Sequence, residues 1–228
     1  MKAMILAAGR GTRMAPLTDA CPKPLLPLAG KPLIVHHIEK LVAAGITDIV
    51  INHAWLGEQI ERALGDGSSF GCSIQYSGEV EALETAGGVY QALPLLGAEP
   101  FLLVNGDVWT DWGYERALSI ELAHSDLGFL WLVDNPDHNP NGDFGLTKEG
   151  LVLSQPDTTG YTFSGMSLLR PELWQGFIAG AHPLAPMLRN AMTHQRIRGE
   201  HMQARWVDVG TPQRLYDLEQ LLLAEATR

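Results

Sequence analysis

Cysteine is almost missing from this chain: among 228 residues there are only Cys21 and Cys72. Two thiols exclude a disulfide scaffold, and without a CxxC pair or a His/Cys group at zinc spacing they exclude a structural zinc site as well. Both are read as reduced. Basic charge is also short, with 16 Lys and Arg against 26 Asp and Glu and a formal net charge of −10. That balance leaves no basic footprint for nucleic acid or an anionic membrane surface. A run of about 18 apolar residues, the length that spans a bilayer, does not occur. No signal peptide, repeat or low-complexity linker is recognisable, so the expectation is a cytoplasmic protein with no membrane partner.

What the chain does have is enough apolar residue, 46%, for a real core, and a clear alternation of patterns. "MKAMIL" (1–6) reads as a buried parallel strand and "KPLIVHHIEKLVAAG" as a helix with Pro32 at its first position and Gly45 as terminator. "DIVIN" is a second strand, "GEQIERALG" a helix, "CSIQYS" a third strand, "TAGGVYQALPLL" a helix from Thr85, and "PFLLVNGD" a fourth strand. This spacing predicts an α/β fold with a doubly wound, mainly parallel, Rossmann-like sheet. After residue 110 the pattern changes. Strands at 127–134, 144–147, 151–154 and 161–169 suggest antiparallel additions that form a lobe around a substrate pocket. "LAPMLRNAM" is helical, "ARWVDVG" a late strand, and "TPQRLYDLEQLLLAEA" a closing helix capped by Thr211 with Pro212 at its first position. One domain over 1–228 is expected. In the His36-His37 pair, one ring should pack and the other meet water.

Charge is unevenly placed. Residues 1–40 carry Lys2, Arg10, Arg13, Lys23, Lys31 and Lys40 against Asp19 and Glu39, a local excess of +4 that leaves −14 for the rest. Most of these cations surround "LAAGRGTRMAPLTDACPKPLLPL" (6–28), a loop at a strand's carboxyl end, where open α/β sheets bind ligands. "GRGTR" lacks the third glycine of a dinucleotide fingerprint, Met14 standing there, and Pro16 follows instead of a helix, which disfavours an NAD-dependent oxidoreductase. A Walker loop fails too, for want of GK[ST]. The remaining readings are a tight turn, in which Gly9 and Gly11 adopt positive φ, and a phosphate cradle whose backbone N–H groups and two cations, Arg13 and Lys23, hold a polyphosphate. Two acids, Asp107 in "LVNGDVW" and Asp208 in "WVDVGTP", fall at strand ends opposite the loop. Each alone reads equally well as a turn aspartate; together they suit Mg²⁺, which takes one or two carboxylates plus substrate phosphates.

These residues, with "PKPLLPLAGKPLI", "ETAGG", "VNGD" and "VDVGTP", resemble the sugar-1-phosphate nucleotidyltransferases over essentially the whole chain. "INHAWLG", "GDFGL", "FSGMSLL" and "LAPMLRNAM" look like a narrower group within that family, one that uses UTP and N-acetylmuramate α-1-phosphate in bacterial cell-wall recycling. The resemblance implies a nucleotide-binding half over 1–110 and a sugar-phosphate-binding half over 111–228. It implies that Ala8, Gly9, Gly11, Thr12, Glu84 and Thr85 hold the nucleotide, that Arg13 contacts the departing pyrophosphate, and that Lys23 bridges phosphates at the reacting centre. Asp107 and Asp208 would bind Mg²⁺. Asn105, Asp143 and Ser164 would hold the sugar phosphate. Many relatives carry glycine where this chain has Glu84, near the base. The implied partners are UTP and a sugar 1-phosphate, with no nucleic acid, in a monomer or small homo-oligomer. Glucose-, N-acetylglucosamine- or mannose-1-phosphate remain alternative acceptors, and a noncatalytic nucleotide-sugar sensor is the alternative from another class. A muramyl acceptor carries a lactyl carboxylate, for which Arg170, Arg189, Arg196 and Arg198 are the candidates in the second half.

Overall fold

The computed structural model describes residues 1–155 and 160–226. Strand β1 (Ala3–Leu6) leads through two 3-10 turns into a short hairpin, β2 (Pro27–Leu28) and β3 (Lys31–Pro32), then helix α1 (Leu33–Ala43). β4 (Asp48–His53), α2 (Gly57–Leu64), β5 (Ser73–Gly78), α3 (Glu84–Leu96) and β6 (Phe101–Asn105) continue the alternation. The rest comprises β7 (Val108–Thr110), β8 (Gly128–Val133), β9 (Gly145–Leu146), β10 (Val152–Leu153), β11 (Thr162–Leu169), α4 (Leu184–Thr193), β12 (Ile197–His201), β13 (Trp206–Asp208) and α5 (Pro212–Ala226).

Seven strands form one sheet in the order β12-β8-β11-β6-β1-β4-β5. All its pairings are parallel except the two made by β11, so a single reversed strand joins the first half to the second. From β1 the chain moves outward to β4 and β5, then returns through α3 to β6 on the other side of β1. The gap between β1 and β6 is therefore the topological switch point, the place where such sheets open a crevice at their carboxyl ends. The doubly wound, mainly parallel expectation is met; β11 is the antiparallel addition within this sheet, and β9 and β10 pair antiparallel in a small sheet of their own, as the second half's pattern suggested.

Side chains of β1 alternate between the two faces. Ala3 and Ile5 pack with Ile34, Ile38, Ile49 and Ile51 under α1 and α2, whereas Met4 packs with Val50, Val89, Ala92 and Leu103 under α3. A third, smaller cluster gathers Met14, Leu26, Leu28, Leu33, Trp109, Val209, Leu215 and Leu218. It lies between the loop after β1 and helix α5. Met14, which replaces a fingerprint glycine, is fully buried there. Burial of such a side chain is worth about 1.5–3 kcal/mol, enough to pin the loop from beneath.

One expectation needs correction and one strand was missed. Pro32 does not open α1; it is the N-cap, at φ −56° and ψ 143°, because β3 runs into the helix with no intervening turn. β12 was not visible in the sequence, since "IRGEH" lacks the apolar run of a buried strand; as an edge strand it needs none. Thr211 caps α5 as expected, its hydroxyl accepting from the Arg214 N–H at 3.3 Å. Among the described residues no helix is long and apolar enough to cross a membrane.

Candidate active site

At the switch point Leu6 stands level with Asn52 of β4 and Asn105 of β6. The buried Asn52 accepts the Ala7 N–H through Oδ1 (3.0 Å) and donates through Nδ2 to Glu79 (2.6 Å), whose other oxygen accepts the Leu83 N–H (2.8 Å). One network thus fixes the loop's start and the approach to α3. Beside it Gly106 donates its N–H to the Leu6 carbonyl at 3.0 Å. A β-carbon on Gly106 would lie 2.5 Å from that same oxygen, so no other residue lets the two strand ends approach.

Downstream, Gly11 takes φ +66° and the Thr18 hydroxyl donates to its carbonyl at 2.8 Å. Gly9 behaves differently from expectation: it is not among the positive-φ residues, and a β-carbon there would meet nothing within 4 Å. Its smallness leaves space for a ligand instead of permitting a turn. The loop is held from outside by Trp55, which lies against the Arg10 guanidinium (4.4 Å) and donates Nε1–H to the Thr18 carbonyl (3.1 Å).

The walls enclose a cavity of about 440 Å³ lined by Ala8, Gly9, Gly11, Thr12, Arg13, Lys23, Asn52, Glu79, Glu84 and Thr85, among others. Every residue assigned to the nucleotide by resemblance is in this wall. Glu84 has φ +58°, a left-handed conformation in which a side chain costs roughly 1–2 kcal/mol. A glycine at this position would avoid that strain. A second cavity, about 370 Å³, is lined by Arg13, Asn105, Asp107, Val108, His138, Asn139, Thr162, Phe163, Ser164, Gly165, Trp206 and Asp208. Arg13, Asn105 and Asp107 belong to both walls, so two ligands would meet there.

Lys23 lines the first cavity, 7% exposed, and reaches the shared wall with Nζ 2.9 Å from Asp107 Oδ2. Asp208 comes from β13, which pairs with β7 in a two-stranded ribbon outside the main sheet, with Asp208 opposite Val108. The Val209 N–H donates to the Asp107 carbonyl at 2.9 Å, which brings the two carboxylates to the same edge. Asp208 Oδ2 accepts from Arg214 Nη1 (2.7 Å) and lies 3.4 Å from His138 Nε2. Among the described residues Oδ1 of Asp107 and Oδ1 of Asp208 accept no hydrogen bond. No group of three or more His, Cys, Asp or Glu able to hold a metal occurs among them either. Two carboxylates with open oxygens suit an ion that completes its shell with water and phosphate, the habit of Mg²⁺.

Beneath the ribbon, His37 is the packed member of its pair. Its Nε2–H donates to the Val108 carbonyl (2.7 Å), so its Nδ1 accepts the Tyr114 hydroxyl (2.7 Å). Burial pushes the ring's pKa from 6.5 down to about 4. Between those values the unfolded chain binds a proton that the folded one does not. Stability is therefore intact above about 6.5 and falls as pH drops towards 4, by on the order of 3 kcal/mol. His37→Gln keeps a donor and an acceptor but cannot titrate, so its melting temperature should decline less between pH 7 and 4.5 than that of the wild type. Parallel declines would exclude His37 as the source.

Three sequence-derived assignments shift. Asp143 is not in either wall: its oxygens accept from Asn139 Nδ2 (3.1 Å) and the Phe163 N–H (2.8 Å). It holds Asn139, which does line the second cavity. Ser164 lines it too, at a bulge in β11, but its hydroxyl already accepts the Met166 N–H at 3.2 Å. The four arginines are engaged elsewhere. Arg170 donates to the Leu122 carbonyl, Arg196 to that of Ser125, Arg198 lies 3.5 Å from Asp126, and Arg189 reaches the carbonyls of Ser154 and Asp143. Sequence reasoning passed over Asn52 and Glu79, although Asn52 ends its strand as Asn105 does, and it passed over His138, Asn139 and Arg214.

Comparison with known proteins agrees with this geometry. The family described as "Nucleotidyl transferase" matches residues 2–159. The chain belongs to the nucleotidyl transferase family. A relative from Neisseria meningitidis named N-acetylmuramate alpha-1-phosphate uridylyltransferase is 54% identical over 97% of this chain and 98% of its own length. Another so named, from Caulobacter vibrioides, is 33% identical over 92% of each chain. A solved structure of a putative glucose-1-phosphate thymidylyltransferase from Bacillus anthracis superposes with a TM-score of 0.85 at 22% identity, covering 97% of this chain and 94% of that one. That likeness speaks for the nucleotidyl transferase fold.

Proposed function

We propose that this nucleotidyl transferase moves a uridylyl group from UTP to N-acetylmuramate α-1-phosphate, giving UDP-N-acetylmuramate and pyrophosphate. The observation that carries the reading is the wall shared by the two cavities, where Lys23 and Asp107 meet. The choice of UTP and acceptor follows the relative 54% identical over nearly the whole chain. Residues 1–110 supply most of the nucleotide cavity and 111–228 most of the acceptor cavity of one domain.

Attack runs from an oxygen of the sugar phosphate onto the α-phosphorus, and pyrophosphate leaves. A phosphomonoester with a second pKa near 6 is already ionised at neutral pH, so no general base is needed. The chain must bring two anions together and stabilise charge on the leaving group, which is work for positioning and electrostatics. The loop Ala8–Thr12 offers backbone N–H groups to the triphosphate. Lys23, held at the shared wall, faces the reacting phosphate, and Arg13 faces the pyrophosphate side. Mg²⁺ held by Asp107 and Asp208 would supply Lewis-acid neutralisation of the phosphates. Asn105 and Asn139 offer amides to the acceptor, and the Asn52–Glu79 network keeps the loop in register.

The test is kcat/KM for four acceptors with UTP and Mg²⁺. N-acetylmuramate 1-phosphate should exceed N-acetylglucosamine, glucose and mannose 1-phosphates. A win of ~10-fold or more by one of the others, about 1.4 kcal/mol in the transition state, overturns the acceptor and leaves only the broader transferase reading.

A further inference from the structure

The acceptor proposed above has two anionic groups, a phosphate and, on its lactyl ether, a carboxylate. The phosphate must lie at the shared wall, within reach of Lys23 and Arg13, because that is where it reacts. A second anion then needs donors on the part of the acceptor cavity that the nucleotide does not share. The arginines of the second half named from sequence are engaged with carbonyls or with Asp126. What the cavity does present is His138, in its wall, with Arg214 Nη1 3.5 Å from His138 Nε2. Neither residue lines the nucleotide cavity; His138 is in the acceptor cavity's wall, and Arg214 stands behind that wall against His138 and Asp208.

Arg214 is placed against ordinary helix electrostatics. It sits in the first turn of α5, whose positive end disfavours a cation. Only Nη1 is used, donating to Asp208 Oδ2 (2.7 Å) and to the Asp208 carbonyl (3.3 Å). Nε and Nη2, the two donors that together match a carboxylate, have no partner among the described residues, and the side chain is 26% exposed. His138 adds an imidazole beside it, in the cavity wall, on a side chain 38% exposed.

We propose that Arg214 and His138 form the receptor for the acceptor's carboxylate, and so decide its preference for a lactyl sugar; this rests on the N-acetylmuramate reading above. A site that hydrogen-bonds a substrate group rejects the analogue without it, because its donors are then left unpaired. The measured quantity is the ratio of kcat/KM for N-acetylmuramate 1-phosphate to that for N-acetylglucosamine 1-phosphate, with UTP and Mg²⁺. It is taken for the wild type, His138→Ala and Arg214→Gln. Arg214 touches Asp208, so a loss common to both acceptors is expected in that variant and cancels in the ratio. His138 Nε2 lies 3.4 Å from Asp208 Oδ2, so the ratio, in which a common loss cancels, is the reading for that variant as well. The wild-type ratio should exceed one and fall at least ~10-fold in each variant, mainly through KM of the muramate. A wild-type ratio above one that neither variant changes overturns the receptor and leaves the acceptor assignment standing. A wild-type ratio below one overturns both.

Discussion

Asp107→Asn and Asp208→Asn should each lower turnover by at least ~10²-fold while leaving the fold intact. Each change is nearly isosteric and removes one formal charge from the edge where two polyanions must meet. Loss of one strong electrostatic contact in a catalytic site typically costs about 3 kcal/mol of transition-state stabilisation. Among the described residues both carboxylates keep one oxygen free of protein partners, so the substitution strikes ion binding more than internal bonding. Asp107 pairs with the buried Lys23, but an asparagine oxygen can still accept from Nζ, and the Asp107 side chain is 41% exposed. Rates measured across a Mg²⁺ titration, beside thermal melts of each variant, give the answer. Near-normal turnover of both variants at saturating Mg²⁺ would remove the metal assignment.

Lys23→Ala should reduce kcat by ~10²-fold or more and raise KM for UTP much less. A cation at the α-phosphate gains most as charge redistributes in the transition state, and an interaction realised only there appears in kcat. The setting strengthens the effect. Lys23 is 7% exposed, and its stem packs where a β-carbon on Gly11 would lie 3.2 Å from its Cβ, so the ammonium acts from a fixed, poorly hydrated position. Arg13 is exposed and has no acid partner among the described residues; Arg13→Ala should weaken UTP binding as well as turnover. Single-turnover rates with nucleotide titrations separate the two cases. A Lys23→Ala enzyme that raised KM alone and kept kcat would lose the assigned role.

The parallel block was legible because its strands are short continuous apolar runs and its helices amphipathic, so pattern and length alone distinguish them. The loop after β1 stood out because its glycines, Arg13 and Lys23 lie within one stretch of sequence. What escaped depends on distant parts of the chain meeting. His138 and Arg214 are ordinary loop and helix residues until Asp208 draws them together. Asp143 was assigned through the resemblance, and nothing local in the sequence marks that its oxygens are used by Asn139 and Phe163. The arginines of the second half are a like case: Arg170, Arg189 and Arg196 reach backbone carbonyls and Arg198 reaches Asp126, partners distant in the chain that the sequence does not mark. Glu84 is the reverse case. A departure seen in the sequence acquired its meaning only from a backbone angle of +58°.

The ribbon that carries Asp208 also sets a timetable. Its strands are far apart in synthesis: the Thr110 hydroxyl donates to the Arg205 carbonyl, 95 residues further along the chain. A growing chain that has released β1 through β7 already owns the phosphate loop, Lys23 and Asp107, together with a four-stranded parallel sheet on which to mount them. It lacks the second carboxylate, the guanidinium beside it and the floor that α5 provides under Met14. Contacts of such long separation form late, after the cost of closing the intervening loop has been met. On the proposed function, the nucleotide half of the site is complete well before the acceptor half, and the two carboxylates stand together only once the last strand has joined.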